Sequence, residues 1–440
     1  MKDVKKAIAL LGILLVLFGC SKDDDAPAQN IAPQIANQEF SISESVTEGT
    51  AIGALVATDA EELTYTITTN DNDLFALTEA GELSLATGKI LNYDVAQTHI
   101  ITVEVSDGTT TVPATITINV IADQVYAVGF QKNTSGIDVA TLWENGVATA
   151  LSDGILDAYS TSVFVSGDDV YVTGRIINGV NNRAVIWKNG VVTNLTDGNT
   201  NANAASVFVS GDDVYVAGFI TNGTSTIATV WKNEIVTNLT DPSVNAAANG
   251  VYVSGTDIYA TGFINNGAGP VATVWKNGVP TNLSNASVVA SVARSVFVSE
   301  TDEVYVAGYT RSSGASNTAT VWENGEAILL TDGNGSVGGA NSVFVSGSDV
   351  YVVGFELDTA PESKEVAKLW KNGEVTVLTD GTYNANARSV YVLGTNVYVG
   401  GFESTSNTQK TFAAIIWKNG VAKTITDADG HATITDIFVK

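Results

Sequence analysis

A Trp-(Lys/Glu)-Asn stretch recurs seven times in this sequence, at Trp143, Trp187, Trp231, Trp275, Trp322, Trp370 and Trp417, and these are its only tryptophans. Successive spacings are 44, 44, 44, 47, 48 and 47 residues. A fixed period of this size means one supersecondary unit repeated, because each unit can bury its apolar face only against its neighbours. Aligned on Trp, every repeat has the same parts. An alternating apolar run such as Ser206–Ser210 leads to a Gly-Asp-Asp turn at 211–213, then Val214–Phe219, a loop of variable length, and Ala228–Lys232. After an Asn-Gly turn comes a last run, about Ile235–Leu239. Period-two alternation marks half-buried strands. Asn-Gly between two such runs marks a hairpin, since both residues of a type I′ turn need positive φ. Asn233-Glu234 departs from this and predicts a poorer turn. Four strands per repeat at this period predict the blades of a β-propeller.

The ends of the repeat region carry a further expectation. It begins at Val125–Phe130 with a second strand and finishes at Asp436–Lys440 with a first strand. Together these fragments complete one blade. The expected fold is therefore a seven-bladed β-propeller over 123–440, with four-stranded blades and the C-terminal strand closing the N-terminal blade, which removes an exposed edge. The Trp at one strand position in every repeat reads as blade-to-blade packing. The strand 1–2 and 3–4 turns are short and uniform, whereas the 2–3 and 4–1 connections vary, as at Thr221–Ile227, Glu356–Glu365 and Glu403–Lys410. Variable loops on a rigid scaffold are where binding sits, so the face carrying them is the expected binding face.

Composition narrows the partners. The 440 residues hold 21 basic and 47 acidic side chains, a formal charge of −26. Such a surface repels nucleic acid and anionic headgroups, whose capture needs clustered Lys and Arg. A single cysteine, Cys20, excludes an intramolecular disulfide. Residues 1–20 carry Lys2, Lys5 and Lys6, then an apolar run Ala7–Phe18, then Gly19-Cys20. That is a secretory signal too short to span a bilayer stably. Leu17-Phe18-Gly19-Cys20 resembles a bacterial lipobox, with Phe18 larger than the usual residue there. The resemblance implies a Cys20 that is lipidated and anchors the chain in the outer membrane. Ser21–Asp25 resembles the acidic export tag of surface lipoproteins, implying that the protein faces the cell exterior. Residues 21–38 read as an acidic, flexible tether.

Residues 33–122 show short alternating runs such as Leu63–Ile67, His99–Val105 and Ala114–Val120. About seven strands in this length predict a β-sandwich. Phe40–Glu44, Gly49–Gly53, Ala57–Glu61, Leu63–Ile67, Leu91–Asp94 and Val103–Gly108 fall in order. Together they resemble a bacterial cadherin-like domain over its whole length. That resemblance implies Ca²⁺ as a ligand. It places Glu44, Asn92, Asp94 and Asp123 at one end of the sandwich, and Asp59, Glu61 and Asp107 at the other. Asn92 stands where the family usually has Asp, and the family's linker has shrunk to Asp123-Gln124. A cadherin site is shared by two consecutive domains and only one is present, so each end has roughly half a ligand set. Fewer charged ligands imply weak binding, on the order of 10⁻⁴ to 10⁻³ M.

No other chemistry stands out. His99 and His431 are the only histidines and no Cys follows Cys20, so no His/Cys metal site is expected. No Ser-His-Asp set is evident, and nothing singles out a carboxylate pair among so many acids. Asp197-Gly-Asn-Thr-Asn-Ala-Asn203 places oxygens at alternate positions but reads more simply as a turn. The expected protein is a monomeric surface lipoprotein whose cadherin-like stalk presents a propeller for protein or glycan binding in adhesion. It would not be an enzyme. Two other readings compete: a polysaccharide-acting propeller hydrolase or lyase, and a purely structural envelope component.

Overall fold

The computed structural model describes residues 29–440 except 285–286, 333–336, 359–362, 407–410 and 427–429. The signal segment, Cys20 and the acidic run 21–25 lie outside the described residues. So do parts of the connections at 356–365 and 403–410. The described chain is all-β apart from one 3-10 turn, Asp71–Asp73. No helix among the described residues is long and apolar enough to cross a membrane. The chain divides into two compact units. One comprises residues through Ile42, Glu48–Lys89 and Thr98–Asn119; the other comprises Ser43–Thr47, Ile90–Gln97 and Val120–Lys440.

The first unit is built on two main antiparallel sheets. Gln38–Ser43, Thr111–Ile121, Thr98–Ser106 and Thr64–Thr69 form one, in that order. Ala51–Ala54, Glu82–Leu85 and Phe75–Leu77 form the other. Alternate residues Ile101, Val103 and Val105 on one strand, and Ile116 and Ile118 on the next, are almost wholly buried, as are Leu83 and Leu85 of the second sheet. Alternation thus becomes an inner apolar face and an outer polar one.

The described residues of the second unit form seven four-stranded antiparallel sheets. Sheet 1 joins both ends of the region, because Ala432–Val439 pairs with Val125–Lys132, which continues to Asp138–Glu144 and Val147–Ala150. Sheets 2 to 7 follow along the chain over 158–194, 202–238, 246–282, 288–329, 338–377 and 385–424. The seven tryptophans are buried to within 1% of full occlusion. Each packs on the sheet before its own. Trp187 meets Val128, Ala140 and Leu142 of sheet 1, and Trp143 of sheet 1 meets Ala414 and Ile416 of sheet 7. Aromatic side chains on the first strands make the same circuit. Phe164, Phe208, Tyr252, Phe297, Phe344, Tyr391 and Phe438 touch in that order at 4.7–5.1 Å between ring centroids, and Phe438 touches Phe164 at 5.2 Å.

The Asn-Gly turns take up left-handed backbone as expected, with Asn145 at φ 51° and Gly146 at φ 85°. Asn233-Glu234 makes the same turn, at the cost of holding Glu234 at φ 68°. A second glycine has a different cause. The first strand of each sheet carries a bulge, which pushes its backbone toward the neighbouring strand. The glycine opposite leaves room for it. A Cβ on Gly218 would lie 1.9 Å from the Asn203 carbonyl oxygen. This is the physical content of the recurring Gly-Phe/Tyr motif.

Candidate binding site

The bulge decides what faces the middle of the second unit. In the seven sheets the residue skipped by the pairing is Thr435, Thr161, Ala205, Asn249, Arg294, Asn341 and Arg388 in turn. A bulge re-aims a side chain, and these seven line two adjoining cavities. The larger, of about 510 Å³, is lined by Thr161, Arg294, Asn341, Arg388 and Thr435, with Phe130, Phe402, Phe412 and Thr433. Phe130 and Phe402 follow the strand 2 glycine, and Phe412 begins a third strand. The larger cavity therefore lies toward the variable 2–3 and 4–1 connections. The narrower one, about 130 Å³, lies among Ser162, Ser206, Ser295, Ser342, Ser389 and Asp436, one step toward the uniform turns.

Four of the seven bulge residues donate to a backbone carbonyl of the next sheet. Thr435 donates to the Ser160 carbonyl at 2.9 Å and Thr161 to Ala204 at 2.6 Å. Asn249 donates to Ala293 at 2.8 Å and Asn341 to Ala387 at 2.7 Å. Ala205 has no polar group to offer. The two arginines do otherwise. Arg294 donates to the Asn341 side-chain oxygen and lies over the Tyr309 ring at 5.4 Å. Asn341 in turn donates to Asn386 at 2.7 Å, and Asn386 to Glu365 at 2.9 Å. Arg388 lies over the Phe402 ring at 5.3 Å and makes no hydrogen bond or ion pair with a described residue. Its side chain is exposed to the cavity although protein surrounds it. Enclosure lowers the proton affinity of both guanidiniums, and Arg388 lowers that of Arg294 further by its charge. Asp436 is half-buried in the narrow cavity, where desolvation raises its pKa against the hydrogen bonds it accepts.

The acidic residues expected to hold Ca²⁺ fall into two groups with different surroundings. In the first unit, Asp59 and Glu61 meet as two acceptors. The Asp59 Oδ1 accepts the Ala60 N–H at 2.6 Å, while Oδ2 is buried with no hydrogen-bond partner. A proton on Glu61 would bond Asp59, and the Asp59 and Asp107 charges add to this, so the Glu61 pKa is raised. Asp107 is held below its ordinary range by the Thr110 N–H at 2.6 Å and the Asn30 amide at 2.8 Å. Asp59, Glu61 and Asp107 thus stand close enough to repel one another, with one Asp59 oxygen left unpaired.

In the second unit, the Glu44 oxygens accept the Asp123 N–H at 3.1 Å and the Tyr93 N–H at 2.8 Å, and pair with the Lys418 ammonium at 2.5 Å. Asp123 accepts from Ser43 at 3.0 Å, Asn396 at 3.0 Å and the Tyr398 hydroxyl at 2.7 Å. That carboxylate, after desolvation, helps push the Tyr398 pKa upward. The Asn92 side-chain oxygen accepts the Asp94 N–H at 2.9 Å. These lone pairs point at protein donors, and a lysine already supplies the positive charge. The reason is legible beside its repeats. Lys188, Lys232, Lys276 and Lys371 pair with Asp169, Asp213, Asp257 and Asp349 of their own sheets at 2.7–2.8 Å. Sheet 7 has Asn396 at that place, which leaves Lys418 for Glu44. Among the described residues, no group of three or more His, Cys, Asp or Glu side chains is arranged to hold a metal.

His99 is half-buried, edge-on to Phe75 at 5.6 Å, and burial lowers its pKa. The Asp197 loop is a turn, with Asp197 accepting the Asn199 N–H at 2.9 Å.

No family model matches the sequence, and no curated protein matches it. Among solved structures, the first two cadherin repeats of human mucin-like protocadherin match at 22% identity, with a TM-score of 0.19, over 21% of this chain and 53% of that one. The third cadherin domain of human protocadherin 7 matches at 19% identity and a TM-score of 0.20, over 22% of this chain and 93% of that one. Chicken VE-cadherin repeats 1–2 match at 23% identity and 0.18, over 20% and 50%. This chain spans about half the length of the first and third of these. The likenesses are partial and do not bear on what this chain binds.

Proposed function

We propose that this chain is an outer-membrane surface lipoprotein, anchored through Cys20, in which the seven sheets close as a seven-bladed propeller that binds a protein or glycan in adhesion. The observation that carries the binding reading is the position of the larger cavity. Five of the seven bulge residues line it, Thr161, Arg294, Asn341, Arg388 and Thr435, and it lies toward the connections that vary most from repeat to repeat. The circuit of tryptophan and aromatic contacts, returning from sheet 7 to sheet 1, supports closure. Cleavage of a glycan would call on two carboxylates about 5–10 Å apart. The described lining of the two cavities holds one, Asp436, which already accepts from Val163 and Ser389. Binding is the reading this lining favours.

The first unit would respond to Ca²⁺ through Asp59, Glu61 and Asp107. A bound dication there would relieve the carboxylate repulsion and use the buried Asp59 oxygen. At the other acidic end Lys418 pairs with Glu44 and the Asp123 carboxylate is taken up by protein donors, and no Ca²⁺ is assigned to Glu44, Asn92, Asp94 and Asp123.

A glycan array and a surface-protein pull-down with the full-length chain in detergent test the binding reading. Retention of one ligand class, competed by nothing that targets the first unit, is expected. Silence in both screens would leave only a structural envelope role.

A further inference from the structure

We propose that the larger cavity is a carboxylate-binding subsite for an acidic sugar unit, with Arg388 as its anion contact and Arg294 as the second guanidinium beside it. The proposal deepens the binding reading above and rests on it. At the bulge position the ordinary task is a cross-tie, as Thr435, Thr161, Asn249 and Asn341 show by donating to the next sheet's carbonyl. Arg294 reaches the next sheet only at the Asn341 side chain, and Arg388 makes no hydrogen bond with a described residue, so neither makes that carbonyl tie.

Their charges are also unanswered. The sequence has five arginines among 47 acidic residues. Two of the five converge on one cavity, and neither forms an ion pair with a described carboxylate. Glu365 is the acid whose charge both feel, and it accepts from Asn386. Two like charges enclosed together are mutually unfavourable, and an anion between them removes that cost. A guanidinium presents parallel N–H donors that match a carboxylate's two oxygens.

The walls select the kind of anion. Phe130 and Phe412 add apolar surface to the same cavity, where the Phe402 ring lies under Arg388, and such walls suit the C–H face of a sugar ring and not a bare inorganic ion. A volume of about 510 Å³ falls in the range of small-ligand sites and admits one or two sugar units. The net charge of −26 disfavours a long polyanion and favours a single or terminal uronate.

The test is calorimetric titration of the full-length chain in detergent with digalacturonate, its neutral methyl ester, a Glu-Glu dipeptide and inorganic sulfate. Digalacturonate is expected to bind at least tenfold more tightly than the ester. Arg388→Gln should lose at least tenfold, Arg388→Lys should fall between, and Arg311→Gln, an exposed arginine outside the cavity, should match the wild type. Melting curves establish that each variant folds; if Arg388→Gln does not, the acid-to-ester ratio on the wild-type chain decides. Equal binding of acid and ester, or an unchanged Arg388→Gln, overturns the proposal. Binding of the dipeptide or of sulfate without the sugar overturns the sugar assignment and leaves the binding reading standing. Glycan-array hits that survive in Arg388→Gln do the same. An empty array and pull-down would remove the reading itself.

Discussion

The Asp436 carboxylate accepts the backbone N–H of Val163 at 2.9 Å, across 273 residues of sequence. The same place in other sheets is held by serine. The hydroxyls of Ser162, Ser206, Ser295 and Ser342 accept the N–H of Val207, Val251, Val343 and Val390 at 3.2–3.4 Å. Each bond joins one sheet to the next, and the Asp436 bond joins the C-terminal strand to sheet 2. Asp436 also accepts the Ser389 hydroxyl at 2.6 Å, so it ties sheet 7 as well. Asp436→Ala would leave the Val163 N–H unpaired and should lower stability by about 1–3 kcal/mol. Asp436→Ser should recover a good part of that loss. Thermal melts of the two variants check it, and equal loss in both would mean that the bond to Val163 contributes nothing.

Two glycines of sheet 3, one in strand 2 and one in the turn before it, separate two reasons for the residue. At Gly218 a Cβ would lie 1.9 Å from the Asn203 carbonyl oxygen and 3.0 Å from the Trp231 ring. Backbone and a buried indole must both move, so Gly218→Ala should cost about 3 kcal/mol. At Gly211 a Cβ meets nothing within 4 Å, and only its φ of 59° opposes substitution. Gly211→Ala should therefore cost about 1 kcal/mol. Denaturant midpoints that rank the two the other way would refute the steric account.

Sheet 3 contains an avoidable cost. Its turn holds Glu234 at φ 68° where the other six repeats place glycine. Glu234→Gly should stabilise the chain by about 1 kcal/mol, because a Cβ in left-handed backbone crowds the following carbonyl. The Glu234 side chain makes no hydrogen bond with a described residue that would be lost, so a drop in melting temperature would point to a surface role for the carboxylate.

Much of this architecture was legible in the repeats because the same local physics recurs. Trp231, the Asn-Gly turns and the period-two runs each have one meaning, and repetition separates it from chance. The split of sheet 1 between Val125 and Val439 was legible for the same reason. Arg294 and Arg388 were missed as site residues. Their signal was present, as the residue before Ser-Val in five of the repeats, but its importance comes from a bulge, and a bulge has no composition of its own. The strand 2 glycine marked it only indirectly. The pairing of Lys418 with Glu44 was likewise hidden, since it follows from Asn396 at the place where other repeats keep an acid. The residues carrying the cadherin-like resemblance name both acidic ends alike. Which of them keeps an unsatisfied oxygen depends on how the chain folds around it.

That difference between the ends makes the first unit's response to pH and Ca²⁺ specific. The Glu61 pKa is raised above its ordinary 4.5, chiefly by the bond its proton would make to Asp59. A group that binds protons more tightly when folded stabilises the fold at low pH, and loses that contribution as pH rises through its folded pKa. Asp107 has the opposite sign. Its pKa lies below the ordinary 3.8 because Thr110 and Asn30 donate to it, so its contribution persists until pH falls through that lower value. Without Ca²⁺, the first unit's unfolding transition should therefore rise modestly as pH falls from neutrality toward the middle fours, and turn down below the high threes. Ca²⁺ at millimolar concentration should raise the transition at pH 7 and lose its effect as Glu61 takes up its proton. Glu61→Gln should raise the Ca²⁺-free transition by removing the repulsion, and shrink the Ca²⁺ response. Glu44→Gln should leave that response intact, since its partner is Lys418. Calorimetry of the full-length chain at a series of pH values, with and without Ca²⁺, reads all of these. A Ca²⁺ shift that persists unchanged at pH 4, or that disappears in Glu44→Gln but not in Glu61→Gln, would place the cation at the wrong end for this account.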